Sequence, residues 1–204
     1  MERILLEIGE HGMNSAGIKR VIRTFLAWQE EKEEKWLADM SRQGWHLERV
    51  GFFNYTFRES PPAEYAYRLD FKVLGNKDIE DYKSTFKDAG WEYIGNFGSW
   101  FYFRADISKD PDMELYSDNR SKIEKYKRLL IFLGIVCGPV LMYSLPNLYM
   151  RIIDMASDSV LNNPVLFNFY IVFVIVLTIG ELFALYGIIR IIMIINRLRK
   201  DIRE

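Results

Sequence analysis

The chain has 204 residues, a formal net charge of −1 and a mean hydropathy of −0.08. A net charge this small gives no electrostatic case for nucleic-acid binding, which needs a basic face. The single cysteine excludes an intrachain disulfide, so the fold does not need an oxidising compartment. The average hydropathy conceals two different halves, because residues 1 to about 128 are rich in charge and most of the remainder is apolar.

Residues 1–18 are predicted to be a loose or short-helical N-terminal extension. The apolar residues near the start are interrupted by Glu7 and Glu10, a pattern that is not typical of a signal peptide. The sequence leaves open whether Met1 or Met13 is the natural start.

Residues 19–108 are predicted to form one cytoplasmic domain built from two copies of the same unit. Shifting the chain by 46 residues overlays it on itself without a gap, so that Gly-Trp at 44–45 falls on 90–91 and Phe-Arg at 57–58 falls on 103–104. Internal repeats of this kind determine the architecture of a fold. Chance matching is the alternative in a chain that is 15% aromatic, but two exact matches at one offset favour a true repeat.

Each copy has the pattern strand, helix, strand, strand. Aromatic and β-branched residues predict the strands, and apolar residues at helical spacing predict two helices that each end at a glycine. We therefore expect an α+β fold in which an antiparallel sheet carries both helices on one face. The predicted strands are 19–28, 45–50, 53–58, 65–71, 91–96 and 100–104, and the predicted helices are 30–43 and 77–89. Trp36, Met40, Tyr82 and Phe86 are predicted to be buried between the helices and the sheet.

The sequence predicts no catalytic residues, no metal site and no cofactor. His11 and His46 are the only histidines, and neither has a nearby Cys or His partner. We find no P-loop, dinucleotide fingerprint, nucleophile elbow or zinc-protease motif. The glutamates at positions 30, 31, 33 and 34 are typical of a solvated helix start rather than of an acid/base pair.

A surplus of aromatic residues in the repeats predicts a groove for a ligand or a partner. These residues cannot all face the two helices, and the last strand of the second copy is aromatic on both faces. An apolar groove on the uncovered sheet face would account for them, with Trp91, Tyr93, Trp100, Tyr102 and Tyr55 as the candidate lining. The alternative is a thick core with some residues lying against the membrane surface.

Residues 109–128 are predicted to be a linker and a basic juxtamembrane helix, and residues 129–204 a transmembrane hairpin with a basic cytoplasmic tail. The run at 129–150 has no charged residue, and the run at 165–189 contains only Glu181. Each run is long enough to cross a hydrocarbon core of about 30 Å as a helix. Lys and Arg cluster before the first run and after the second, so both termini are predicted to be cytoplasmic in a two-span protein of the cell membrane.

Small residues in the two runs predict where the spans approach each other. Gly134, Gly138, Gly180 and Ala184 would meet at equal depths in an antiparallel pair, and small residues allow close helix packing. Glu181 would then contact the first span, although an ionisable residue inside a membrane is also a candidate for a functional role. The alternative is that these glycines reflect the high glycine content of membrane helices.

Six short motifs support a family resemblance. They are Glu-Glu-Lys-Trp-Leu at 33–37, Gly-Trp-His-Leu at 44–47, Tyr-Arg-Leu-Asp at 67–70, Ala-Gly-Trp-Glu-Tyr at 89–93, Phe-Tyr-Phe-Arg at 101–104 and Leu-Tyr-Ser-Asp at 115–118. With these motifs, residues 20 to 128 resemble a bacterial family of unknown function, number 2812. The resemblance implies a membrane-anchored protein, often encoded beside PadR-type transcriptional repressors. It therefore implies a regulatory or envelope-stress role, and it supplies no catalytic residues.

These patterns together predict a membrane-anchored, non-enzymatic regulatory or sensor protein. Its cytoplasmic domain would bind a protein partner or a small apolar ligand, with a link to a PadR-type repressor. The alternative is an accessory subunit of a membrane transporter, in which Glu181 and the hairpin would matter most. The sequence does not identify the ligand, the partner or the oligomeric state.

Cysteine labelling tests the predicted membrane topology. An impermeant thiol reagent applied to intact cells should label Ser157→Cys, which lies in the loop predicted to be outside. The same reagent should not label Ser117→Cys, which precedes the first basic cluster. Labelling of Ser117→Cys without Ser157→Cys would show that the orientation is reversed.

Overall fold

The computed structural model describes residues 10–14, 17–75, 77–108, 119–155 and 164–202, and these form an α+β protein. The strands are β1 (Glu10–Asn14), β2 (Ile18–Ile22), β3 (Trp45–Gly51), β4 (Asn54–Glu59), β5 (Tyr65–Phe71), β6 (Glu92–Phe97) and β7 (Trp100–Asp106). The helices are α1 (Glu30–Arg42), α2 (Ile79–Asp88), α3 (Asn119–Met155) and α4 (Pro164–Asp201). The chain divides into two compact units, Met1–Lys125 and Tyr126–Glu204.

The order of the elements repeats as predicted in the first unit. The first copy is β2-α1-β3-β4 and the second is β5-α2-β6-β7. The turns after the two helices contain Gly44 and Gly90, whose φ angles are 85° and 82°. At Gly44 an added Cβ would lie 2.8 Å from the backbone oxygen of Ser60, so both the backbone conformation and the available space require glycine there.

The strands form two antiparallel sheets, so the prediction of one sheet was wrong. The first sheet has the order β1-β2-β4-β3 and the second has the order β5-β7-β6. The prediction of a loose or helical extension was also wrong for residues 10–14, because this segment is β1 and pairs with β2. One edge of β2 pairs with β4. The backbone N–H and C=O groups along its other edge would be unpaired without β1, which is why residues 10–14 form a strand there.

The helices pack on opposite faces of the second sheet, which corrects the expectation that both share one face. Leu37 and Met40 of α1 share a buried cluster with Tyr67 and Leu69 of β5, and this cluster also includes Tyr102 of β7. The physical reason for the difference is that neighbouring residues of a strand point to opposite faces, and β7 is apolar on both.

The other face of β7 packs against α2. Tyr82 and Phe86 of α2 contact Phe101 and Phe103, and the Phe86 and Phe103 rings stack with centroids 3.9 Å apart. The side chains predicted to lie between helix and sheet are therefore in the two cores, with Met40 and Tyr82 buried and Trp36 and Phe86 partly buried.

One helix among the described residues, Ile171–Asp201 within α4, is long and apolar enough to cross a membrane. The first predicted span, 129–150, falls inside α3, but the side chains of residue 141 and of residues 143–155 lie outside the described set. The structure thus supports one candidate span and does not show the predicted two-helix hairpin.

The described residues show no close packing at the predicted small-residue contact between the spans. Within the described residues, a Cβ added at Gly134, Gly138 or Gly180 would meet no atom within 4 Å, and Ala184 is only half-buried. Among the described residues, the buried positions of the second unit lie elsewhere, at Tyr126, Leu129, Gly187, Ile191, Ile195 and Leu198.

Phe57→Ala should lower the free energy of unfolding by about 3–5 kcal/mol, because this ring is fully buried and its removal leaves a cavity. Phe52→Ala is the matched control, since its side chain is 64% exposed and its truncation should change stability by less than about 1 kcal/mol. Denaturant unfolding of the two variants provides the measurement. Equal losses of unfolding free energy in the two variants would show that Phe57 is not part of the core.

A buried carboxylate network and its cavities

The five aromatic residues predicted to line one groove are divided among three cavities. Tyr55, Trp100 and Tyr102 line a cavity of about 130 Å³, which we call the aromatic pocket. Its aromatic lining is Phe25, Phe53, Tyr55, Phe97, Trp100 and Tyr102. Trp91 lines a separate cavity of about 350 Å³, and Tyr93 lines a third of about 270 Å³. The predicted groove is therefore not one site, although three of its five members are brought together.

A glutamate from α1 lies at the aromatic pocket and connects the two sheets. Glu33 is only 6% exposed, and its Oε1 accepts hydrogen bonds from the hydroxyls of Tyr55 and Tyr102, each at 2.7 Å. Tyr55 belongs to β4 in the first sheet and Tyr102 to β7 in the second. Burial raises the pKa of Glu33, and the two tyrosine hydrogen bonds oppose that rise.

Two further charged residues close the open edge of β5. Glu34 Oε1 accepts a hydrogen bond from the backbone N–H of Leu69 at 2.7 Å, and Lys125 Nζ donates to the Leu69 carbonyl at 2.9 Å. Lys125 also forms a buried ion pair with Glu30 at 2.7 Å. Unpaired edge groups invite pairing with another chain, so these side chains both satisfy and protect this strand.

Burial gives Glu34 an unusual titration. Its pKa is raised to about 7, chiefly by desolvation and further by the charge of Glu30, whereas Lys125 acts in the opposite direction. The expectation of a solvated helix start was thus wrong for three of the four glutamates, and only Glu31 is exposed. A sequence signal existed, because Glu30, Glu33 and Glu34 precede the buried Leu37 at helical spacing and so share its face.

The cavity of about 350 Å³ borders β5 and carries charges of both signs. Its charged lining is Glu31, Glu34, Lys35, Arg42, Arg68, Lys122 and Lys125. Several of these charges are already paired within the protein: Lys122 lies 3.3 Å from Glu31, and the Arg68 guanidinium lies over the Trp91 ring. The arrangement is therefore a polar surface cleft rather than a shaped binding site.

Metal-ligating side chains are not clustered in the described part of the chain. No group of three His, Cys, Asp or Glu side chains there is placed to hold a metal ion. His46 is half-buried, and burial followed by the charge of Arg104 lowers its pKa. Glu181 lies half-buried in α4, well away in sequence from the aromatic pocket.

Glu34→Gln should raise the melting temperature at pH 8 and leave it nearly unchanged at pH 5. The pKa of Glu34 lies above its ordinary value of 4.5, so the folded chain holds this proton more tightly than the unfolded chain. Its contribution to stability is complete below that ordinary value and is lost as the pH rises through about 7. Glutamine still offers an acceptor to Leu69, and we expect a gain of roughly 1–3 kcal/mol at pH 8.

Thermal melts at the two pH values provide the measurement, with the exposed Glu31→Gln as the matched control. The control should show no gain at pH 8. A gain from Glu34→Gln that is equal at both pH values, or confined to pH 5, would contradict the assignment.

The comparison with known families covers most of the residues that form this site, although Phe25, Leu26 and Ala27 of the aromatic pocket lie outside it. No curated protein and no solved structure matches the chain. The sequence pattern of a family described as a protein of unknown function, DUF2812, matches residues 29–137, which is more than half of the chain. The matched region includes α1, α2, the strands β3 to β7 and the start of α3. This confirms the resemblance inferred from the six motifs, and the chain belongs to the DUF2812 family.

Proposed function

We propose that the chain is a membrane-anchored, non-enzymatic sensor or regulatory protein whose cytoplasmic domain binds a small apolar ligand. The observation that carries this proposal is the aromatic pocket. Six of its twelve lining residues are aromatic, its volume is about 130 Å³, and Glu30 and Glu33 supply polar groups. Binding sites for small molecules typically combine apolar walls with a few placed polar groups.

The position of the pocket supports a sensing role. Its lining comes from both sheets and from α1, because Tyr55 lies on β4, Trp100 and Tyr102 lie on β7, and Glu33 lies on α1. A ligand held there contacts elements of both repeats at once. It therefore stabilises whichever arrangement of the two sheets binds it more tightly, and this is the requirement for a ligand-dependent change of state.

Anchoring by a two-helix hairpin with both termini in the cytoplasm is part of the proposal. Ile171–Asp201 supports the second span directly, and the 37-residue α3 contains the charge-free run predicted as the first. The cytoplasmic termini follow from the basic clusters that flank the runs. A protein partner and a link to a PadR-type repressor stay predictions from the family resemblance.

A role as an accessory subunit of a membrane transporter is the second candidate, and Glu181 is the observation that favours it. An ionisable side chain inside a membrane span is costly and is often functional. Glu181→Gln and a pocket-filling variant separate the two candidates in cells. A phenotype from Glu181→Gln alone would favour the transporter role, and a phenotype from the pocket variant alone would favour the sensor.

Ligand binding can be tested on the full chain in maltoside micelles with 3,3-dimethylbutan-1-ol, a water-soluble apolar probe. Saturation-transfer NMR should show contact between the probe and the protein. Ala27→Leu should abolish this transfer, because residue 27 lines the aromatic pocket and the larger side chain fills it.

Ala63→Leu is the matched control, since Ala63 is also a half-buried loop alanine but does not line the aromatic pocket. The control should retain the transfer. Equal transfer in both variants would show that the probe binds elsewhere, and the proposed site would be wrong.

A further inference from the structure

One carboxylate oxygen of Glu33 accepts hydrogen bonds from described residues of the protein, and the other does not. Both tyrosine hydroxyls donate to Oε1, and no described residue donates a hydrogen bond to Oε2. The residue is more than nine-tenths buried, yet it lines the aromatic pocket. A ligand in the pocket therefore meets a carboxylate that still has room for a donor or a positive charge.

Glu33 also lacks a counter-ion among the described residues. The neighbouring Glu30 has its own cation, because Lys125 lies 2.7 Å from it. Arg23 lies over the rings of Phe25 and Trp36, with its guanidinium carbon 5.1 Å and 4.8 Å from the two ring centroids, and it forms no ion pair with Glu33. A buried carboxylate without a counter-ion is unfavourable, and a bound cation removes that penalty.

The walls of the pocket suit a positive charge as well. Aromatic rings present a negative face, and cages of such rings recognise quaternary ammonium groups. The volume of about 130 Å³ is well below the roughly 300–1,000 Å³ of sites for drug-sized molecules, so the pocket accommodates a small head group rather than a large ligand.

The rim of the pocket shows local backbone strain. Phe53 has a φ of 56°, a left-handed conformation that is rare for a bulky residue, and its carbonyl accepts a hydrogen bond from the Arg23 N–H at 3.0 Å. Strain of this kind is concentrated at ligand-binding and active sites. Phe53 and Phe97 both line the pocket and are both partly exposed, so aromatic rings border its entrance.

We propose that the aromatic pocket binds a small organic cation, an ammonium group with apolar substituents, with Glu33 as its counter-ion. The inference rests on the proposed function and narrows its ligand to one chemical class. A neutral apolar ligand would leave the second oxygen of Glu33 without a partner, whereas an alkylammonium group satisfies both the carboxylate and the rings.

Choline and 3,3-dimethylbutan-1-ol form a matched pair of probes, because they have nearly the same shape and differ in charge. Titration calorimetry on the full chain should use maltoside micelles, since detergents with choline head groups would compete. We expect choline to bind one site per chain at least about tenfold more tightly than the alcohol. Equal affinities, or tighter binding of the alcohol, would overturn the cation inference and leave the proposed apolar site intact.

Glu33→Gln tests the counter-ion directly. The amide retains an acceptor for the tyrosines but carries no charge, so choline binding should weaken at least about tenfold while binding of the alcohol is unchanged. Glu31→Gln, an exposed change on the same helix, should leave both affinities as they are.

Two further outcomes would count against the inference. A preference for choline that survives in Glu33→Gln would show that Glu33 is not the counter-ion. Failure of both probes to saturate the wild-type chain would reject the ligand site and the cation together. If Glu33→Gln does not fold, the ratio of the affinities of the wild-type chain for choline and for the alcohol still decides whether the pocket prefers a cation.

Discussion

The first unit depends on one constraint: the polar side chains that α1 buries must each have a hydrogen-bond or ion-pair partner. Glu33 accepts from Tyr55 and Tyr102, Glu30 pairs with Lys125, and the hydroxyls of Ser41 and Tyr67 lie 2.8 Å apart. Removing a single partner from such a network leaves a buried polar group unsatisfied, at about 1–3 kcal/mol for each. Because Tyr55 comes from the first sheet and Tyr67 and Tyr102 come from the second, the same contacts that satisfy the helix also fix where the sheets lie around it.

Local patterns were sufficient for the elements but not for their assembly. The repeat, the helix positions and the glycine turns follow from periods and offsets within about 46 residues, so they could be predicted. The division into two sheets could not, because alternation along β7 marks two apolar faces without saying what covers each. The carboxylate network was missed for a related reason, since the tyrosines that bind Glu33 lie 22 and 69 residues away along the chain.

The long helices show a different limit of sequence reasoning. The small residues Gly134 and Gly138 in one run, and Gly180 and Ala184 in the other, identify where two helices are able to come close, but they do not require that the helices do so. The buried residues of that unit include Leu129 and Ile191, but also the small Gly187. The glycine pattern alone therefore does not identify which residues the folded unit buries.

The unequal covering of the two sheets also has an evolutionary consequence. Phe57 and Phe103 occupy equivalent positions and are both fully buried, but the residue equivalent to the buried Tyr102 is the half-exposed Thr56. In the second copy β7 faces an interior on both sides, whereas in the first copy β4 does so on one side only. The copies are consequently no longer interchangeable: recombination between them would place a threonine in the core and a tyrosine near the surface, which acts as a barrier to further exchange between the repeats.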